Sequence, residues 1–227
     1  MTKECYQIII DKPALESFIE WLPELAPHEK YYFSLFSRSK YHQNAPQLQV
    51  LRFLSNKERM LEKIEQLECP VGSYRVKGIP IPQGGLALYM TQNPRDMKKA
   101  AFKTIGKLAE LLERGEHSNP HQECLSEIHR TCGQKHFIDF DIDTKDPTIL
   151  SAAIKLVDGQ CELIETRGGF HLMIKTVDAK RGFSEKLWYK KLTALSDVSA
   201  DPNSMVPCIG TFQGNFCPRF VDPKTFL

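Results

Sequence analysis

The polar and apolar positions of this chain switch between two periods along its length. After Asp11-Lys12-Pro13 the stretch ALESFIEWL repeats at helical spacing, and a capping aspartate with a proline in the first turn marks the start. Residues 30–36 (KYYFSLF) and 47–54 (QLQVLRFL) read as strands. A polar, basic loop between them carries Arg38, Lys40, Tyr41 and His42. Asn56 opens a charged amphipathic helix over residues 56–67. A strand over residues 85–91 (GLALYMT) runs through Asn93-Pro94-Arg95-Asp96 into a long helix over residues 97–114. Its spacing assigns the apolar face to Ala101, Ile105, Leu108, Leu111 and Leu112.

Residues 115–120 are polar and form the internal boundary, so the organisation expected is an N-terminal α/β unit (1–115) and a second module (116–227) within one domain. Past that boundary, residues 136–143, 161–166 and 170–175 predict strands. Asp146-Pro147 opens a helix, Arg167-Gly168-Gly169 makes a turn, and residues 184–195 predict another helix. Residues 205–209 and 219–221 are short strands. Helices alternate with strands and a hairpin throughout, which places the chain in the α/β or α+β class.

Composition narrows the picture. With 227 residues, 41% of them apolar, the chain can build one large core or two small units sharing a cleft. Charged residues at 26% exclude a disordered chain. A net charge of +2 means that a nucleic-acid partner needs a local basic patch. No run approaches the roughly 18 to 20 apolar residues of a membrane span. The start, MTKECYQIIIDKP, lacks the apolar region and cleavage site of a signal peptide. Seven scattered cysteines, an odd number, read as free thiols in a reducing compartment, so a cytoplasmic or nucleoid-associated protein is expected.

The chemistry concentrates in His136-Phe137-Ile138-Asp139-Phe140-Asp141-Ile142-Asp143. Strand side chains alternate, so Asp139, Asp141 and Asp143 share one face, and Ile138, Phe140 and Ile142 point into a core. Carboxylates about 7 Å apart along one face repel, and a bridging cation removes that repulsion. Such oxygen-rich sites suit Mg²⁺ or Mn²⁺. Two ions about 4 Å apart can activate a hydroxyl and stabilise a departing group. The rival reading is a charged edge strand that blocks aggregation, but aspartate is a poor strand former for that task. Downstream, Arg167-Gly168-Gly169-Phe170-His171 leads into an apolar strand. Gly168 and Gly169 permit a tight turn or a close phosphate approach, His171 can donate to a phosphate oxygen, and Arg167 can add a charged contact. Alone this is a glycine hairpin with one histidine; beside the aspartate strand it reads as a nucleotide site.

These motifs resemble those of the archaeo-eukaryotic primase superfamily, the primase–polymerases. Phe140-Asp141-Ile142-Asp143 is similar to its Asp-x-Asp strand, and Gly169-Phe170-His171, followed by an apolar strand, to its histidine motif. The segment 205–221, with its Pro-x-x-Gly-Thr turn, resembles the closing segment of such domains, which places the third acid at Asp201, with Asp197 second and Asp222 third. The resemblance covers roughly residues 137–221. It implies an α+β fold, with an RRM-like catalytic sheet module packed on the N-terminal α/β unit and the active site in the cleft between them. It further implies a DNA primase or polymerase using two divalent metals, Mg²⁺ or Mn²⁺, held by Asp141, Asp143 and Asp201. Asp139 belongs to the metal set if the register is 139/141. His171, Arg167 and Gly169 would bind the nucleoside triphosphate, and the template would be single-stranded or primed DNA. A metal-dependent nuclease and a non-catalytic nucleic-acid-binding module on the same fold are the alternatives.

Other groups carry less. His117, His121, Cys124, His129, Cys132 and His136 could hold a structural Zn²⁺, but their spacing matches no standard ligand pair, and an inward-packed helix face explains Cys124, Ile128 and Cys132 equally well. Asn93-Pro94-Arg95-Asp96 reads as a capped turn or a phosphate contact. Arg38, Lys40, Tyr41 and His42 could touch a template backbone. No phosphate-binding Walker loop is present, so a separate helicase or other replication or repair partner is expected.

Overall fold

Asp11 caps the first helix as its place before Pro13 predicts, accepting from the Ala14 N–H, and α1 runs Lys12–Trp21. The computed structural model describes residues 4–200 and 205–227. After α1 come β1 (Glu29–Ser37), β2 (Leu48–Ser55) and α2 (Met60–Glu65). The second helix is shorter than residues 56–67. Lys57 is drawn out of it: its Nζ donates to the Glu20 and Leu22 carbonyls and to Glu24, which fixes a turn there. Next are β3 (Arg75–Val76), β4 (Ile79–Pro80), β5 (Leu86–Thr91), β6 (Arg95–Asp96), α3 (Met97–Glu113) and α4 (Pro120–Arg130). The remaining elements are β7 (Phe137–Ile142), α5 (Pro147–Leu156), β8 (Glu162–Glu165), β9 (Phe170–Lys175), α6 (Thr176–Arg181), α7 (Trp188–Leu192), β10 (Val198–Ser199), β11 (Met205–Pro207) and β12 (Arg219–Val221).

The architecture is α+β, with two larger antiparallel sheets. The first has the order β11-β5-β1-β2, with β6 also paired to β1; the second has the order β10-β7-β9-β8-β12. The β3–β4 hairpin stands apart. The end of the chain belongs to both sheets. β10 closes one edge of the second, β11 then crosses to pair with β5 in the first, and β12 returns to pair with β8.

Alternation along β7 follows the expected pattern. Phe140 and Ile142 are buried in a core with Leu150, Ile154, Leu163, Leu172 and Ile174, beneath α5 and α7. The other face of the second sheet turns toward the first, and Phe137, Ile164 and Met173 join the core built on α1, α2, β1 and β5. Trp21 at the end of α1 stacks on Phe137, ring centroids 4.8 Å apart, and meets Phe220 edge-on at 5.0 Å. That aromatic contact ties α1 to the second sheet at both β7 and β12.

One face assignment needs correction. In α3 the structure buries Ala100, Thr104 and Leu111, while Ala101, Ile105 and Leu112 are exposed. Leu111 is buried as its spacing indicates, but the helix docks on α4 and β6 along a stripe shifted to take in Ala100 and Thr104, with Ala100 packed beside Tyr32 and Ile128. Helices also occupy residues 120–130 and 176–181, the first capped by Asn119 through the His121 N–H.

Candidate active site

The site is assembled by fixing β7 at both ends. At its start, Asn93 acts as a clamp: its Oδ1 accepts from the His136 and Phe137 N–H groups at 2.7 and 2.9 Å, and its Nδ2 donates to the Phe137 carbonyl at 2.9 Å. A buried asparagine that satisfies three main-chain groups sets where the strand begins. At the other end, the β8–β9 turn is tucked under the strand. The Gly169 N–H donates to Thr166 Oγ1 and its carbonyl accepts from the Thr166 N–H. A Cβ at Gly169 would run into the Ile142 carbonyl and the Thr144 N, so only glycine lets the turn lie this close. Gly169 thus faces β7, and it is Gly168 that lines the cavity.

With both ends fixed, β9 pairs with β7 in the register Asp141↔His171 and Asp139↔Met173. The imidazole therefore lies between two carboxylates. Nδ1 is 3.2 and 3.1 Å from the two oxygens of Asp139, whose side chain is fully buried, and Nε2 is 3.8 Å from Asp141 Oδ1. Burial opposes the charged imidazole, but the charge and hydrogen bond of Asp139, with Asp141 and Asp143 adding to them, outweigh it and raise His171 above the ordinary histidine value. Asp141 is also raised: burial dominates, His171 opposes it, and the neighbouring Asp143 and Asp139 charges reinforce it.

Asp141, Asp143 and His171 open onto a cavity of about 610 Å³ between the two sheets. Its opposite wall is cationic. Arg38 lies over the rings of Phe36 and Tyr89, 5.7 and 5.6 Å from their centroids, and its Nε is buried with no hydrogen-bond partner among the described residues. Lys40 lies 5.4 Å over Tyr41, and Arg52 and Arg130 line a further part of the wall. Arg167, expected beside His171, reaches across to this wall: its Nη1 donates to the Tyr41 carbonyl at 3.3 Å. Tyr89 and Gln213 complete the wall. Neither was singled out from the sequence, because a tyrosine inside an apolar strand and a glutamine in a loop carry no local mark of a site.

The other acids are placed as follows. Asp201 lies outside the described residues; Ser199 and Met205 on either side of that stretch line the cavity. The Asp197 carbonyl accepts from the Asp143 N–H at 2.8 Å, so its main chain braces the end of β7. Asp222 caps the turn after β12, accepting from the Lys224 N–H. Among the described residues, no three His, Cys, Asp or Glu side chains gather closely enough to hold a metal ion. The His and Cys group before β7 is dispersed: His129 packs on Tyr32, and Cys132 bridges to Arg95 through the main chain. No described helix is long and apolar enough to cross a membrane. Comparison with protein-family models, with curated proteins and with solved structures finds no match to this chain.

Proposed function

We propose that this chain is a template-dependent nucleotidyltransferase, a DNA primase, polymerase or both, that works on nucleoside triphosphates with divalent metal ions. The observation that supports this reading best is the two-sided cavity. Asp141, Asp143 and an Asp139-backed His171 face it from the side of one sheet, and Arg38 and Lys40 face it from the loop that follows β1 of the other. A metal-bound triphosphate has the complementary character, cationic where it meets acids and anionic where it meets bases.

Asp141 and Asp143 offer the hard oxygen donors that Mg²⁺ and Mn²⁺ prefer, and Asp201 is the third acid of this reading. The resemblance of the β7 strand to primase motifs points the same way. Bound there, such ions would supply Lewis-acid activation of a hydroxyl and neutralise charge on phosphate. Asp139, grouped with the metal-holding acids by the strand pattern, has the role here of orienting the imidazole. With Nδ1 hydrogen-bonded to Asp139, His171 presents Nε2 to the cavity as a donor for a phosphate oxygen. Arg38, which lines the same cavity, is a second donor for anionic oxygen. Arg52 and Arg130 border the route a template backbone would take. A separate helicase or another replication or repair protein would be its working partner.

Primer synthesis and primer extension on single-stranded and primed DNA with Mn²⁺ test the proposal. The Asp141→Ala variant should bind DNA and incorporate nothing; incorporation by that variant at the wild-type rate removes the reading. Shortening of labelled DNA without triphosphate would assign a metal-dependent nuclease to the same carboxylates. No heat of binding with Mn²⁺ and triphosphate would leave a non-catalytic module.

A further inference from the structure

Gln213 joins both sheets at the cavity wall, and one neighbour fixes the orientation of its amide. The Arg167 main-chain N–H lies 2.9 Å from Gln213 Oε1. A main-chain N–H can only donate, so the carbonyl end of the amide must face it and the NH₂ end must face away. On that side stand two phenols. Nε2 donates to Tyr41 Oη at 3.1 Å and to Tyr89 Oη at 2.9 Å. The two phenol oxygens are 2.8 Å apart, so one donates to the other.

The hydrogens can now be counted. The amide nitrogen only donates, so neither phenol hydrogen can go to it. Of the two phenol hydrogens, one passes between the rings, and one is left over. Either tyrosine can carry it, since reversing the Tyr41–Tyr89 bond moves it from one to the other. Burial, with the adjacent Tyr89 hydroxyl, pushes the Tyr41 phenol well above its ordinary range, so it keeps its hydrogen at neutral pH. Both rings line the cavity, and Gln213 itself is almost wholly buried. The Arg167 guanidinium lies 5.0 Å over the Tyr41 ring, so the phenol pair stands beside the β8–β9 turn. Gly214, at φ +55°, permits this packing: a Cβ there would meet both Tyr41 and Arg167.

We infer that Tyr41 and Tyr89 together present one shared O–H donor that recognises an acceptor oxygen, on phosphate or on sugar, of the bound nucleotide. This rests on the nucleotide reading of the cavity. Because either phenol can supply the donor, removal of one is covered by the other.

Calorimetric titration with Mn²⁺ and ATP, dATP or inorganic tripolyphosphate tests it. Tyr41→Phe and Tyr89→Phe should each bind within about threefold of wild type, and the double variant about tenfold more weakly or worse. Thermal melting run in parallel establishes that each variant is folded. A loss shared by tripolyphosphate places the acceptor on phosphate; a loss confined to the nucleotides places it on the sugar. A single variant that loses as much as the double, or a double variant that binds like wild type, overturns the inference and leaves the nucleotide reading standing. Absence of binding by the wild-type protein overturns both. A second measurement does not need the double variant: in each single variant, nucleotide should shift the ring-carbon NMR signal of the remaining phenol, and an unmoved signal in either counts against the shared donor.

Discussion

Asp139 places both carboxylate oxygens within 3.2 Å of His171 Nδ1, beneath a cavity that neither Asp139 nor most of the imidazole is free to enter. A buried acid in that position fixes which ring nitrogen is protonated and which faces outward. It also makes the ring's charge a property of the pair.

The first prediction concerns that pair. Burial works against the imidazolium and Asp139 outweighs it, so the folded value lies above the ordinary 6.5. A raised histidine contributes stability that is present in full below the unfolded value and is lost as pH rises through the folded one. Asp139→Asn should cost on the order of 2 to 3 kcal/mol at pH 6, and less at pH 9. Denaturant midpoints of both proteins at the two pH values check this in metal-free buffer. NMR titration of His171 should show its midpoint lowered in the variant. A gap in stability that widens with pH would contradict the assignment.

Asn93 provides the second. Its truncation to alanine leaves the His136 and Phe137 N–H groups without their side-chain acceptor at the start of β7. A loss of about 2 to 3 kcal/mol is expected, measured by chemical denaturation. Hydrogen exchange should accelerate first at Phe137 and Ile138. A variant as stable as wild type would show that the strand is positioned by its packing alone.

Glu165 provides the third. Burial would raise its carboxyl, but hydrogen bonds from Lys145 and Arg219, at 2.8 and 2.9 Å, outweigh burial and hold it below its ordinary value. A depressed carboxylate contributes stability that is present above its unfolded value, near 4.5, and is lost as pH falls through the folded value. Both partners are well exposed, so the contribution is discounted to about 1 kcal/mol. Glu165→Gln should be less stable by that amount at pH 7 and should converge on wild type in acid. High salt should narrow the difference at pH 7.

The corrected face of α3 gives the fourth. Leu111 is 8% exposed and its neighbour Leu112 is 74% exposed. Leu111→Ala should cost about 2 kcal/mol or more, and Leu112→Ala less than about 0.5 kcal/mol. Thermal melts of the two variants decide it, and comparable losses at both positions would restore the face expected from spacing.

Much of the site was legible because a strand has an unambiguous period. Alternation in β7 alone places Asp139, Asp141 and Asp143 on one face and Phe140 and Ile142 in the core, and the apolar run of β9 fixes where its strand starts. What alternation lacks is depth. It does not distinguish the acid sealed behind an imidazole from the two that meet the cavity, because that depends on where the first sheet covers the second. Helix spacing was less informative in α3, where apolar residues cover more than half the circumference and the docking stripe is chosen by Tyr32 and Ile128 from elsewhere in the chain. The Gln213 hub was invisible for a related reason. Its partners lie 46, 124 and 172 residues away, and no local pattern marks such a meeting.

The crossing of β11 and β12 between the sheets has a consequence for biosynthesis. A ribosome that has released only residues 1–200 has made every acid on β7 and the imidazole on β9, yet the first sheet still lacks its edge at β5 and the second its edge at β8. The two halves should therefore mature together, late and in one step. A fragment cut ahead of β11 would be expected to emerge as a client for chaperones, with one edge of each sheet left unpaired.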